Sequence, residues 1–141
     1  MPRQMEFEKL VAVLVSEHAQ MTAGLQTLRA ALETKDYDAA RSALSELKEV
    51  FARHIADEEG QVLRILIDAY GVKGADDAIE VFRQHRPIYN LMKAIEQFSS
   101  LSPEEFRSKE AELKELFAKH TTAEESHIFP WALSTSKSKI R

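Results

Sequence analysis

His54 and Glu58 stand four residues apart, and so do His120 and Glu124. On a helix, that spacing puts both side chains of a pair on one face, within reach of a common ion. His18 and His85 bring the set to six nitrogen and oxygen donors on otherwise apolar seams. The chain has no cysteine, so disulfides and thiolate sites are excluded and any metal is held by imidazole and carboxylate. Polar groups in the core of a small protein need neutralising, which a cation does. A single zinc ion takes about four ligands, fewer than these six. Two ions ~3.5–4 Å apart, sharing both carboxylates and taking two imidazoles each, use the whole set and leave a position for a small ligand. The donor mix points to iron ahead of manganese or zinc. Mutual His–Glu pairing without metal is the structural alternative.

The elements that must position these groups read as helices almost throughout. Phe7, Val11, Leu14, His18, Met21, Leu25, Leu28 and Leu32 step by four and three along one face. Thr34 to Asp38 break that pattern, and Asp36 or Asp38 is placed to cap the next helix. The second seam runs Leu44, Leu47, Phe51, His54, Glu58, Val62, Ile65, Ala69 and ends near Gly71, with a bend expected at Gly60. The third carries Phe82, His85, Tyr89, Met92 and Ile95. Pro87 within it removes the amide that would bond the Arg83 carbonyl, which predicts a kink beside His85. Ser102-Pro103-Glu104-Glu105 is a helix start with a capping box. The fourth seam reads Phe106, Leu113, Phe117, His120, Glu124, His127, Trp131, and Pro130 is expected to end it. The fold class is therefore all-α, an antiparallel up-down-up-down four-helix bundle over residues 1–133, with 134–141 as a flexible Ser/Lys-rich tail.

Heights along such a bundle can be compared through the rise of ~1.5 Å per residue. Measured from connections centred near Lys35, Lys73 and Leu101, the pairs His18/His54, Glu58/His85 and His85/His120 each agree to about one helical turn. The six donors are expected in one layer of the core.

Four neighbours carry separate expectations. Glu59 and Glu125 are rotated ~100° off the seam, which favours a solvated role or one behind the ligands. His127 lies on the seam near the bundle end, as packing, an outer partner or a further ligand. Tyr89 is read as a core aromatic, with a phenol that hydrogen-bonds a metal-bound small molecule as the alternative.

Composition excludes several classes. A chain of 141 residues, 44% hydrophobic and 30% charged, suits one globular domain. A net charge of −4 gives no reason to expect nucleic acid or an anionic membrane as partner. No apolar run approaches the ~18 residues of a membrane span. The first residues lack the apolar core of a secretory signal, so a cytoplasmic location is expected.

His18, then His54-x-x-x-Glu58, His85 and His120-x-x-x-Glu124 on four successive helices, with the ending Glu124-Glu125-x-x-Ile128-Phe129-Pro130, resembles the hemerythrin-like (HHE cation-binding) family over roughly residues 5–131. The resemblance implies a four-helix bundle with two iron ions bridged by carboxylates and an oxo or hydroxo group. His18, His54, His85 and His120 would be terminal ligands, and Glu58 and Glu124 bridges. Family members bind dioxygen, sense oxygen or iron, handle nitric oxide or peroxide, or repair iron–sulfur clusters. The oxygen carriers have His-x-x-x-His where this chain has His85-x-x-x-Tyr89, and His-x-x-x-x-Asp where it has His120-x-x-x-Glu124. Cluster-repair members resemble this ligand set but commonly carry a cysteine-containing N-terminal domain, and cysteine is missing here. The departures imply a more symmetric site that binds or reduces a small diatomic molecule or peroxide, using electrons from an unidentified donor. A sensor or iron-storage module without turnover is the alternative.

Overall fold

Residues 3–97 and 102–140 are described by the computed structural model, and all regular structure among them is helical. Helix α1 spans Arg3–Glu33. It ends as the backbone turns left-handed at Lys35 (φ 59°). The Lys35 and Asp36 amides return to the carbonyls of Leu32 and Ala31 at 3.1 and 2.8 Å, a Schellman closure. Asp36 then caps α2 (Tyr37–Asp57) by accepting the Ala39 amide at 3.1 Å, so of the two candidate caps Asp36 takes the role. After α2 a π-helical turn over Glu58–Val62 leads into α3 (Leu63–Gly74). The bend expected at Gly60 is therefore a widened turn.

Helices α4 (Asp76–Phe82) and α5 (His85–Ile95) are separated by a break at Arg83 and Gln84. Pro87 sits in the first turn of α5, where a missing amide is tolerated. The Arg83 carbonyl that it cannot serve accepts the Arg86 amide at 3.3 Å instead. The connection expected near Leu101 lies outside the described residues. Helix α6 (Pro103–Ala123) opens with the capping box read from the sequence: Ser102 Oγ accepts the Glu105 amide at 3.1 Å, and the Ser102 amide donates to Glu105 Oε1 at 3.2 Å.

Pro130 does not end the last span. A second π-helical turn (Glu124–Ile128) precedes it, and α7 continues over Phe129–Ile140. The widened turn already takes carbonyls out of the four-residue register, which relieves the clash a proline ring makes in a regular helix. Ser126 Oγ donates to the Thr122 carbonyl at 2.6 Å. The expected flexible tail is thus helical through Ile140, with Thr135 and Ser136 buried and Tyr70 Oη 3.0 Å from Thr135 Oγ1.

Among the described residues the buried apolar side chains form two clusters. One joins the second half of α1 (Met21, Leu25, Leu28) to α2, α5 and α6 through Leu44, Phe51, Ile88, Met92, Leu113 and Phe117. The other joins the first half of α1 (Phe7, Val11, Leu14) to Val62, Leu66, Phe82, Ile128, Phe129 and Ala132. No helix among the described residues is long and apolar enough to cross a membrane.

The chain leaves helical geometry within α3 at Gly71, with φ 77° and ψ 172°. That region is essentially closed to residues with a Cβ and costs about 1–3 kcal/mol when forced. Gly71→Ala is expected to lower stability by about that amount in chemical denaturation. Gly60→Ala, where an added Cβ meets no atom within 4 Å, is expected to be neutral or to add up to about 1 kcal/mol.

Candidate metal centre

Each His-x-x-x-Glu pair ends where α-helix gives way to the wider turn. The Leu63 amide donates to the Glu58 carbonyl, and the Phe129 amide to the Glu124 carbonyl, both across five residues. A π-turn holds one extra residue, so the buried face beyond it shifts by about one position. The second seam therefore continues through Leu66, leaving Ile65 half-buried and Ala69 exposed. The fourth continues through Ile128 and Ala132 in place of His127 and Trp131.

The six expected donors meet in one layer between the two apolar clusters. His18, His54, Glu58 and Glu124 offer four donor atoms within 4.8 Å of one another, and Glu58, His85, His120 and Glu124 offer another four. Both glutamates belong to both groups. Glu58 turns Oε2 to His54 Nε2 (3.0 Å) and Oε1 to His85 Nε2 (2.7 Å). Glu124 turns Oε1 to His18 Nε2 (2.8 Å) and Oε2 to His120 Nε2 (2.9 Å). None of the six is more than 4% exposed. Despite these short approaches, Glu58 Oε2, Glu124 Oε2 and His120 Nε2 lack a well-aligned hydrogen-bond partner. Buried polar atoms left in that condition at one point fit a cation.

Each imidazole is held from behind at Nδ1. His54 donates to Glu17 Oε1 at 2.9 Å, His18 to Glu125 Oε2 at 2.6 Å, His85 to Glu59 Oε2 at 3.0 Å and His120 to Gln84 Oε1 at 3.0 Å. Such contacts place the proton on Nδ1 and direct the Nε2 lone pair of a neutral ring into the cluster. Glu59 and Glu125 thus sit behind the donors, half exposed, where the widened turn brings them back toward the seam. Glu17 and Gln84 were not singled out by the sequence. Their signal was position: each precedes a seam histidine, yet serves the histidine of the following helical span. Phenylalanines close the flanks. Phe82 and Phe129 stack on His85 and His18 at 5.3 and 5.8 Å, and Phe51 and Phe117 meet the same rings edge-on.

The family model for the hemerythrin HHE cation-binding domain matches residues 9–132. The chain belongs to the hemerythrin family. Comparison with curated proteins and with solved structures returns no match. The matched span contains all six donors and the four groups behind them.

Two residues weighed as additions to this hemerythrin-type cluster lie away from it. The α5 seam steps from His85 to Ile88 and then Met92, so Tyr89 falls on the flank, 37% exposed, with Lys48 and Lys93 each 5.7 Å from its ring centre. It is neither a core aromatic nor a donor toward the site. His127 is turned outward by the second π-turn, stacked on Trp131 at 5.6 Å and 3.6 Å from Asp77. A surface groove of about 630 Å³ runs between α1 and α6 and touches none of the six donors.

Burial alone would push the imidazoles of His54 and His85 down, but Glu124 and Glu58 override it and hold them up at about 10 and about 9. Burial likewise opposes charge on Glu124, yet the four surrounding histidines hold its carboxyl far below the usual carboxylate range. The metal-free cluster is therefore neutralised by protons. A histidine pKa raised on folding gives stability that is fully present below its ordinary value of 6.5 and lost as pH rises through the folded value. Metal-free protein is expected to lose stability from about pH 6.5 through 9 to 10 in urea titrations at a series of pH values. Metal binding near pH 7 should release about two protons, read by calorimetry in buffers of different ionisation enthalpy. Uptake with no proton release would contradict the assignment.

Proposed function

We propose that this chain is a non-haem di-iron protein that binds or reduces a small ligand such as dioxygen, nitric oxide or peroxide. One iron would lie between His18 and His54 and the other between His85 and His120, with Glu58 and Glu124 shared by both. The observation that carries this reading is that two four-donor groups have both carboxylates in common, each giving one oxygen to either half. Up-down-up-down packing of the helical spans belongs to the same reading. It is supported by the second half of α1 sharing a core with α2, and the first half with residues beyond the first π-turn.

When bound, an iron pair supplies redox electrons and a coordination position for the small ligand. The chain's own groups do the rest. Glu17, Glu59, Gln84 and Glu125 fix the ring orientations and keep the Nδ1 protons in place. The phenylalanines and the two clusters exclude water, which strengthens every charge interaction inside. The deep burial of the donors favours a molecule of a few atoms as the ligand. A surface groove of about 410 Å³ includes Phe117 in its lining, and the Phe117 ring meets His18 edge-on at 6.2 Å, so this is the side from which such a molecule would approach. With Tyr89 on the surface, its phenol has no part in holding the ligand.

Protein produced with iron supplied is expected to carry about two irons per chain by elemental mass spectrometry, with near-ultraviolet charge-transfer absorption that bleaches on reduction. His54→Ala and Glu58→Ala should each fall to one iron or fewer. Two irons retained in both variants, or wild-type protein that holds only zinc or no metal, would overturn the reading.

A further inference from the structure

The cluster is built twice from one short pattern. Glu17-His18 followed by His54-x-x-x-Glu58-Glu59 is repeated as Gln84-His85 followed by His120-x-x-x-Glu124-Glu125. The hydrogen bonds repeat with it. The residue before the first histidine holds Nδ1 of the second: Glu17 on His54, Gln84 on His120. The acid after each bridging candidate holds the remaining ring: Glu59 on His85, Glu125 on His18. Both π-turns open at equivalent glutamates. Within this repeat of holding groups, one position differs in charge, where an amide at Gln84 stands for the carboxylate at Glu17.

The difference falls at a buried place. Glu17 is 4% exposed, so solvent does little to screen its charge from His54, to which it is bonded directly. Arg53 reaches the other oxygen, Oε2, at 3.1 Å, but its own side chain is 54% exposed and solvated, so it offsets the charge only in part. A carboxylate behind a metal-binding imidazole makes the ring a stronger donor than a neutral carbonyl does, and outer groups of this kind commonly change affinity by about 10–100-fold. The His18/His54 half is backed by two carboxylates, Glu125 and Glu17. The His85/His120 half is backed by Glu59 alone and an amide.

We propose that Gln84 makes the two halves of the centre unequal, so that the His18/His54 half fills first and the His85/His120 half second. This rests on the binuclear reading above. It makes Gln84 and Glu17 positioning residues that act through His120 and His54 and set the order of loading. It also suits the His18/His54 half to the more highly charged ion of a mixed pair, because two backing carboxylates stabilise a larger positive charge.

Zinc is the probe, being diamagnetic and free of redox change. Metal-free protein is titrated with zinc while the four buried histidine rings are followed by long-range proton–nitrogen NMR. At one equivalent the Nε2 signals of His18 and His54 are expected to move to metal-bound positions, and those of His85 and His120 only with the second. Gln84→Glu should strengthen the second step by about tenfold or more and make all four rings move together. Glu17→Gln should also make them move together, by weakening the first step. Loss of a merely structural hydrogen bond would not strengthen any step, so the gain in Gln84→Glu separates the two roles. Two zinc ions per wild-type chain with simultaneous movement of all four rings, or with His85 and His120 leading, overturns the proposal alone. Saturation below two ions per chain overturns the binuclear reading and the proposal with it.

Discussion

Four imidazole nitrogens and two carboxylates face one another in a layer that solvent does not reach, each ring already spending its Nδ1 proton on a partner behind it. Neutral rings in that tautomer present only acceptors to the centre, and acceptors repel acceptors at low dielectric. Positive charge has to enter the layer, as protons or as metal. The rest of the structure follows from that demand: helical spans that each deliver a donor at one height, turns that aim the glutamates inward, and aromatic rings that close the flanks. Glu124 and Glu58 hold His54 and His85 above the usual imidazole range, which favours protons there, while Glu58 Oε2, Glu124 Oε2 and His120 Nε2 keep no well-aligned partner.

Much of this was legible in the sequence because it depends on periodicity. The donors fall at steps of three and four among apolar residues, and the rise of a helix is regular enough to place them at one level. Local hydrogen-bond chemistry was legible for the same reason. Ser102 with Glu105, Asp36, Pro87 and Gly71 each declare themselves within a few residues. The π-turns were not legible. One residue is accommodated without any side chain that demands it; Gly60 announced a bend in the first, but not its width, and the extra residue shows only where Leu66 and Ile128 replace Ile65 and His127 on the buried face. A reading that extends a regular helix past Glu58 or Glu124 is therefore out of phase by one residue. That phase error is what put His127 and Trp131 on the seam.

Tyr89 and the groups behind the six donors escaped for a different reason. A spacing of four from His85 made Tyr89 look inward, but a helix face has width, and the stripe here is centred between Ile88 and Met92. Glu17 and Gln84 meet their histidines across 37 and 36 residues, contacts that no local pattern encodes. The C-terminal segment was misread from composition. Serines and lysines describe a tail in general, whereas Thr135 is held here by Tyr70 and by the Trp131 carbonyl.

The division of the apolar core carries a consequence for how the molecule comes apart. The cluster around Phe51 and Leu113 and the cluster around Leu14 and Phe129 are separate, with the ionic layer lying between them. Dispersion and burial act within each, and what crosses the layer is its ion pairs together with the rings of His18 and His85, which touch phenylalanines of both clusters. The chain is in this sense two small hydrophobic bodies strung on shared helices, with a charged seam as the coupling. Whatever occupies that seam sets not only the reactivity of the centre but the cooperativity of the whole fold. A seam filled by tightly held charge makes one body of it, and a seam stripped of charge leaves two that can melt in turn.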